Sequence, residues 1–174
     1  QRSRAPRDVV EEVKRLADVG VLEVNLISQD TVAWGRDLKA DTGLARLVER
    51  VADVPGVRWV RLFYLYPEKL GADLIGLLAD HPRIVPYVDM PLQHAADAML
   101  RRMRRGHGGA RLRELVTRLR ERVPGRTFRT AFIVGHPGET EAEFDELCDF
   151  VRWARFDRMG VFRYSDEETS RSHG

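Results

Sequence analysis

Cysteine is almost absent from this 174-residue sequence, in which Cys148 is the single thiol. One thiol excludes an internal disulfide and cannot by itself build a cysteine-rich metal site. It fits a reducing compartment, so the sequence predicts a cytoplasmic protein. No run of about 18 apolar residues occurs, which predicts no membrane span and no membrane partner. The opening residues include neither an initiator methionine nor the apolar core of a secretory signal, and we expect the chain to be cut from a longer one.

Excess charge of one sign is also lacking, because 29 basic residues face 27 acidic ones and the net charge is only +2. So small a charge predicts that any contact with nucleic acid is local. The one basic cluster is RRMRRGHGG (101–109), whose possible phosphate contacts are Arg101, Arg102, Arg104 and Arg105. The cluster is therefore a candidate contact with RNA or the ribosome, and a solvated helix face is the simpler alternative.

Several catalytic and nucleotide-binding motifs are missing. The sequence contains no Walker ending, no G-x-G-x-x-G, no G-x-S-x-G elbow, no H-E-x-x-H and no Cys-x-x-Cys. Cys148 falls on the apolar face of a predicted helix with Phe144, Leu147 and Val151, where a small buried side chain explains it better than a nucleophile. The chain therefore predicts no catalytic residue of its own.

Helical and strand patterns alternate along the chain, and 43% of the residues are hydrophobic, enough for one domain with a core. The predicted strands are 22–28, 57–66, 84–90, the part of 127–144 before Gly135, and 159–165. The predicted helices run from Pro6 to Gly20, over 44–51, from Pro67 to about Leu78, around 96–103, over 112–119 and after Thr140. Helical connections predict a parallel α/β sheet, either doubly wound or part of a barrel, that lacks its first strand. We expect one core domain over 1–165 and a disordered polar tail over 166–174.

Polar or glycine-rich segments follow all five predicted strands. They are SQDT (28–31), YLYP (64–67), DMPLQH (89–94), VGHPGE (134–139) and RYSDE (163–167). Because ligands of parallel α/β folds bind at the carboxyl ends of the strands, we expect these segments to converge on one small molecule.

The first and third of these segments carry candidate ligand contacts. Gln29 and Asp30 could accept hydrogen bonds from a ligand, although Asp30 could instead cap the turn that follows. Gln93 is a candidate ligand contact. For His94, a structural hydrogen bond and a functional role are equally well supported.

The fourth segment is the most informative. Glycine at 135 and 138 permits a left-handed backbone, either for a tight turn or for close approach of a ligand. Thr140 and Glu143 match a capping box that begins the next helix. Glu139 stands at the positive end of that helix, which already accounts for a carboxylate there.

Four stretches, 2–35, 61–70, 87–106 and 129–165, together resemble the core of the radical S-adenosylmethionine (SAM) methylthiotransferases. The resemblance is collinear over nearly the whole chain. Ser28, Gln29 and Asp30 stand where the tRNA-adenosine branch typically has Gly-Gln-Asn, which favours the branch that modifies an aspartate of a small-subunit ribosomal protein.

The resemblance implies a SAM site in a partial (β/α) barrel of the radical SAM type. By motif position, Ile133, Val134 and Gly135 would approach the adenine. Gln29 and Asp30 would lie near the methionyl amino group. Gln93 and Glu139 would line the pocket or support its loops.

In one respect the chain departs from the family. Radical SAM enzymes bind a 4Fe–4S cluster with a Cys-x-x-x-Cys-x-x-Cys loop. That loop is not in the chain, and the resemblance places it upstream of Gln1. We therefore expect a scaffold fragment of an enzyme that adds a methylthio group to an aspartate β-carbon and is inactive alone. A tRNA-modifying relative and a non-catalytic module that binds RNA or the ribosome are the alternatives.

Overall fold

The computed structural model describes residues 2–38 and 43–166, in which five strands alternate with helices. The strands are β1 (Glu23–Leu26), β2 (Trp59–Leu62), β3 (Tyr87–Asp89), β4 (Thr127–Val134) and β5 (Arg158–Arg163). The helices are α1 (Pro6–Asp18), α2 (Leu44–Ala52), α3 (Ala72–Asp80), α4 (Asp97–Arg102), α5 (Gly109–Arg122) and α6 (Glu141–Ala154). Short 3-10 helices, Thr31–Ala33 and Pro67–Lys69, follow β1 and β2. No helix in these residues is long and apolar enough to cross a membrane.

The predicted elements are present, but their bounds differ in places. The single helix predicted from Pro67 to Leu78 is wrong, because the chain makes one 3-10 turn and becomes extended before α3 begins. Gly71 is the N-cap of α3, and a Cβ built on it would lie 2.4 Å from a carboxylate oxygen of Asp73. The predicted tail over 166–174 lies, apart from Asp166, outside the described residues.

All strand pairs in the described residues are parallel, and the strands follow one another in sequence order. β1 pairs with β2, and β4 lies between β3 and β5. The two groups are joined by a bridge between Val60 and Ile84, where the Val85 amide donates to the Val60 carbonyl at 2.9 Å. A doubly wound sheet reverses its strand order, whereas a barrel adds each strand to the same side. The order β1-β2-β3-β4-β5 is therefore that of a partial barrel.

The two faces of this sheet differ in polarity. Alternate side chains on the helix-covered face are buried, among them Val60, Leu62, Val88, Phe128 and Phe132. Polar side chains lie on the opposite face, where the Arg129 guanidinium donates to Asp89 Oδ1 at 2.8 Å and the Arg61 guanidinium lies 4.7 Å from the Tyr87 ring centre. Within the residues that the structure describes, the helices therefore cover one face of the sheet.

Helix α6 differs from the sequence prediction at its first turn. The helix packs on the sheet through Leu147, Phe150 and Ala154. Cys148 is half-buried, and Phe144, predicted on the same apolar face, is 40% exposed. The buried stripe of α6 therefore begins one turn later than its apolar residues indicate.

Candidate functional site

The segments that follow the five strands form one continuous edge. Each segment is connected by a backbone hydrogen bond to the next segment or, for the segment after β3, to the neighbouring strand β4. The donors and acceptors are Thr31 N to Tyr64 O (3.2 Å), Leu65 N to Asp89 O (2.8 Å), Gln93 N to Ala131 O (2.9 Å) and Tyr164 N to Val134 O (2.8 Å).

Three neighbouring strands, β2, β3 and β4, are followed by a residue with a left-handed backbone. These residues are Tyr64 (φ 54°), Gln93 (φ 72°) and Gly135 (φ 72°). The two other non-glycine residues with positive φ in the described chain, Arg104 and Arg155, follow helices, where this conformation is common. A left-handed tyrosine or glutamine costs energy, and such residues cluster at functional sites. The strain thus marks the same edge that the polar segments mark.

A carboxylate connects the loop after β4 to the segment after β3. Glu139 accepts a hydrogen bond from the Gly135 amide through Oε2 and is paired through Oε1 with His94 Nε2 at 3.0 Å. The His94 side chain is completely buried, and that of Glu139 is 7% exposed. Glu139 therefore connects the loop after β4 with the buried His94 ring.

The part of the edge between β3 and β4 presents apolar surface beside an amide. The Ile133 amide donates to the Gln93 carbonyl at 2.9 Å, and both side chains are half-buried, as is that of Val134. Gly135 is exposed, and no atom lies within 4 Å of a Cβ built on it. This part of the edge is therefore open and partly apolar.

At the β1–β2 end of the edge, Asp30 already has protein partners. Its Oδ1 accepts from the Ala33 amide at 3.2 Å and caps the 3-10 helix, while its Oδ2 accepts from Lys69 Nζ at 2.7 Å. The capping alternative considered for Asp30 is thus what the structure shows. Gln29 is exposed beside it.

The four arginines of the basic cluster differ in their contacts, and Arg102 is exposed although it has protein partners. Arg102 donates to Met99 Sδ at 3.0 Å and to the Glu143 carboxylate. Arg105 donates to the Tyr66 hydroxyl at 3.1 Å. Arg101 and Arg104 are exposed. Two of the four arginines, Arg102 and Arg105, therefore have protein partners.

Sequence reasoning did not single out Tyr64 or Lys69, and it gave no preference for His94. The left-handed conformation of Tyr64 leaves no trace in the residue type, because a tyrosine at a strand end is ordinary. The partners of Lys69 and His94 are 39 and 45 residues away in sequence, so no local pattern reports them.

The residues of this chain do not fit an iron–sulfur cluster. The whole sequence contains one cysteine. Within residues 2–38 and 43–166, no group of three His, Cys, Asp or Glu side chains is arranged to hold a metal ion.

Comparison with known proteins gives the class to which this fold and edge belong. The family model described as the Radical SAM superfamily matches residues 1–151, and the chain belongs to that superfamily. SAM is the cofactor from which the superfamily takes its name, which confirms the cofactor prediction for this class. The structure of the radical SAM methyltransferase TsrM from Kitasatospora setae, with cobalamin and a 4Fe–4S cluster bound, has a TM-score of 0.69 at 19% identity, over 92% of this chain and 31% of that one. The predicted fold is confirmed.

Two curated relatives of the chain are named as methylthiotransferases. The chain is 74% identical, over 99% of its length, to the ribosomal protein uS12 methylthiotransferase RimO of Sorangium cellulosum. It is 49% identical, also over 99% of its length, to the protein of the same name from Solibacter usitatus. The chain spans 37% of the length of each relative. The resemblance to the ribosomal-protein branch is confirmed.

Proposed function

We propose that the chain is the SAM-binding part of a radical SAM methylthiotransferase that adds a methylthio group to the β-carbon of an aspartate in ribosomal protein uS12. The observation that carries the proposal is the 74% identity with the Sorangium protein over almost the entire chain. SAM supplies the radical chemistry when it is bound, and the protein binds and orients the reactants. The ligands of the iron–sulfur cluster come from the remainder of the full-length protein, and this chain alone is inactive.

The adenosyl group of SAM lies, in this proposal, between the ends of β3 and β4. Ile133, Val134 and Gly135 border the adenine, and the side-chain amide of Gln93 forms a hydrogen bond with the nucleoside. The strained backbone of Gln93 and the open space at Gly135 support this assignment.

The methionyl end of SAM lies toward β1. Gln29 is the proposed contact of the amino group, because its amide is exposed and accepts hydrogen bonds. Asp30 contributes to the same subsite by holding Lys69 at the edge. Glu139 acts on the adenine side as a support of the glycine loop.

The exposed arginines form a separate, weaker part of the proposal. Arg101 and Arg104 would contact RNA phosphates of the ribosome, while Arg102 and Arg105 position the segment that carries them. Such contacts lose affinity steeply as salt concentration rises, which distinguishes them from SAM binding. The cytoplasm, where ribosomes and reduced thiols occur together, is the proposed location, and residues 1–165 form the proposed core domain.

The test uses the full-length protein with its clusters reconstituted. We expect mass spectrometry to find a methylthio group on an aspartate of uS12 when SAM and a reductant are supplied. Labelling of tRNA adenosine in place of uS12 would assign the chain to the other branch. Salt-dependent RNA binding without measurable SAM binding would establish the non-catalytic alternative.

A further inference from the structure

A buried histidine–carboxylate pair lies directly behind the proposed adenosyl site. His94 follows Gln93, and Glu139 is in the loop that begins at Gly135. The His94 ring is 0% exposed and none of its nitrogens is left for a ligand, since each already has a protein partner. The pair therefore acts on the site through the backbone of the residues beside it.

The hydrogen bonds assign the tautomer of His94. The Ala96 amide donates to Nδ1 at 3.1 Å, so Nδ1 carries a lone pair. Nε2 then carries the proton and donates to Glu139 Oε1 at 3.0 Å. Glu139 Oε2 is free to accept from the Gly135 amide. Three hydrogen bonds, which we call the relay, therefore connect the Ala96 amide with the Gly135 amide through His94 and Glu139. Each donor and each acceptor in the relay is defined.

This relay connects the segment after β3 with the loop after β4. In the proposed function, the adenine lies between these two segments. Gln93 adopts a φ of 72°, a conformation that a glutamine keeps only when its surroundings enforce it. Its amide and carbonyl are held by Ala131 and Ile133 at 2.9 Å each. The hydrogen bonds of His94, the next residue along the chain, restrain the backbone of Gln93 further.

We propose that His94 is a positioning residue for SAM, which holds Gly135 and Gln93 at the spacing that the adenosyl group requires by donating to Glu139. The inference rests on the proposed function. A buried histidine that merely packs the core is the alternative, and it predicts that SAM affinity follows overall stability.

Three conservative variants of the full-length protein separate these alternatives. His94→Gln can place an N–H near the position of Nε2 and keep the bond to Glu139, while it loses the acceptor for Ala96. His94→Asn can keep an acceptor near the position of Nδ1 but is too short to reach Glu139. Glu139→Gln breaks the relay from the other side, because His94 and Gly135 donate to different oxygens and the amide NH2 that replaces one of them cannot accept.

The dissociation constant of SAM is measured by calorimetry on the reconstituted protein, and Tm is measured on the same samples. We expect His94→Gln to bind SAM within about threefold of wild type. For His94→Asn and Glu139→Gln we expect binding weaker by about tenfold or more, as one lost buried hydrogen bond predicts. Hydrogen exchange of the Gly135 amide should accelerate in those two variants and not in His94→Gln.

Equal losses of affinity in His94→Gln and His94→Asn, in proportion to their Tm, would overturn the inference. Wild-type affinity in His94→Asn would overturn it as well, while leaving the proposed function intact. A wild-type protein that does not bind SAM would overturn the proposed function and this inference with it. These outcomes separate the failure of the inference alone from the failure of both.

Discussion

The edge formed by the segments that follow the five strands is built differently at its two ends. Between β3 and β4 the polar groups are buried, and His94 and Glu139 side chains are 0% and 7% exposed. Between β1 and β2 the corresponding ion pair of Asp30 and Lys69 is 17% and 31% exposed. Both ends use a carboxylate that accepts two hydrogen bonds. They differ in how far these side chains are exposed to solvent.

Burial changes what each hydrogen bond contributes. An exposed ion pair exchanges one set of solvated contacts for another and adds 1 kcal/mol or less as an order-of-magnitude figure. A buried group that loses its partner is left without water to replace it, at a cost of about 1–3 kcal/mol. We therefore expect the β3–β4 end to be rigid and sensitive to substitution and the β1–β2 end to be adaptable.

The largest effect is expected for His94→Ala at the buried end. Removal of the ring leaves the Ala96 amide and Glu139 Oε1 without their partner and creates a cavity. We expect a loss of about 3 kcal/mol in the free energy of unfolding, measured by denaturant unfolding of the full-length protein. A loss below about 1 kcal/mol would contradict the comparison.

Asp89→Asn should have the next largest effect. The Asp89 side chain is 1% exposed and accepts from Arg129 at 2.8 Å and from the Tyr64 amide at 3.2 Å. Its charge raises the pKa of Arg129, chiefly through their hydrogen bond. We expect a loss of about 2 kcal/mol in the same measurement.

The matched control for Asp89→Asn is Asp149→Asn. Asp149 pairs with Arg152 at 2.7 Å, but both side chains are more than 70% exposed, at 72% and 74%. We expect this variant to unfold like wild type. Similar losses in both variants would show that burial does not set the difference.

Thr140→Ala tests the start of α6 at the glycine loop. Thr140 Oγ1 accepts from the Glu143 amide at 3.3 Å, and Glu143 Oε2 accepts from the Thr140 amide at 2.8 Å. Loss of an N-cap side chain costs about 1 kcal/mol. Hydrogen exchange of the first turn of α6 should accelerate, while that of α5 should not change.

Asp30→Asn should have a smaller effect, at the less buried end of the edge. The amide oxygen can still accept from the Ala33 amide, and only the charge that attracts Lys69 is lost. We expect a change of about 0.5 kcal/mol in the free energy of unfolding. A change comparable with that of Asp89→Asn would remove the distinction between the two ends.

The smallest effect is a pH dependence at Glu143. A hydrogen bond from Arg102, followed by bonds within the capping box, lowers the pKa of Glu143 from 4.5 to about 2. Because the folded-state pKa is the lower one, the stabilisation is complete above 4.5 and is lost as the pH falls toward 2. The difference in unfolding free energy between wild type and Glu143→Gln should therefore be smaller at about pH 3.5 than at pH 7. A difference that grows on acidification would contradict this.

Local sequence patterns were sufficient to predict the helices and strands and the order in which they occur. The capping box at Thr140 and Glu143 is present as expected, because both of its partners lie within one helical turn. The break at Gly71 was missed, since a run of apolar residues after Pro67 has helical spacing whether or not the backbone is interrupted. The prediction that Phe144 lies on the apolar face was wrong for a related reason. Helical spacing shows on which side of a helix a residue lies, but it does not show how far the neighbouring sheet extends along that helix.

The candidate site divides in the same way. That polar segments follow every strand can be read from residue types and the period of two, and their common edge follows from parallel pairing. Which carboxylate supports a loop and which caps a turn depends on partners 39 and 45 residues away. The left-handed conformations of Tyr64 and Gln93 likewise arise from contacts with neighbouring strands.

Amino-acid order alone thus established a parallel α/β chain, its strand ends and its likeness to radical SAM methylthiotransferases, because periodicity and motifs are local or collinear properties. Folding decided that the strands lie in barrel order, that His94 and Glu139 are buried together and that Asp30 pairs with Lys69. Those outcomes depend on which side chains, distant in sequence, are brought into contact and removed from water. Such contacts form only when the helices pack on one face of the sheet.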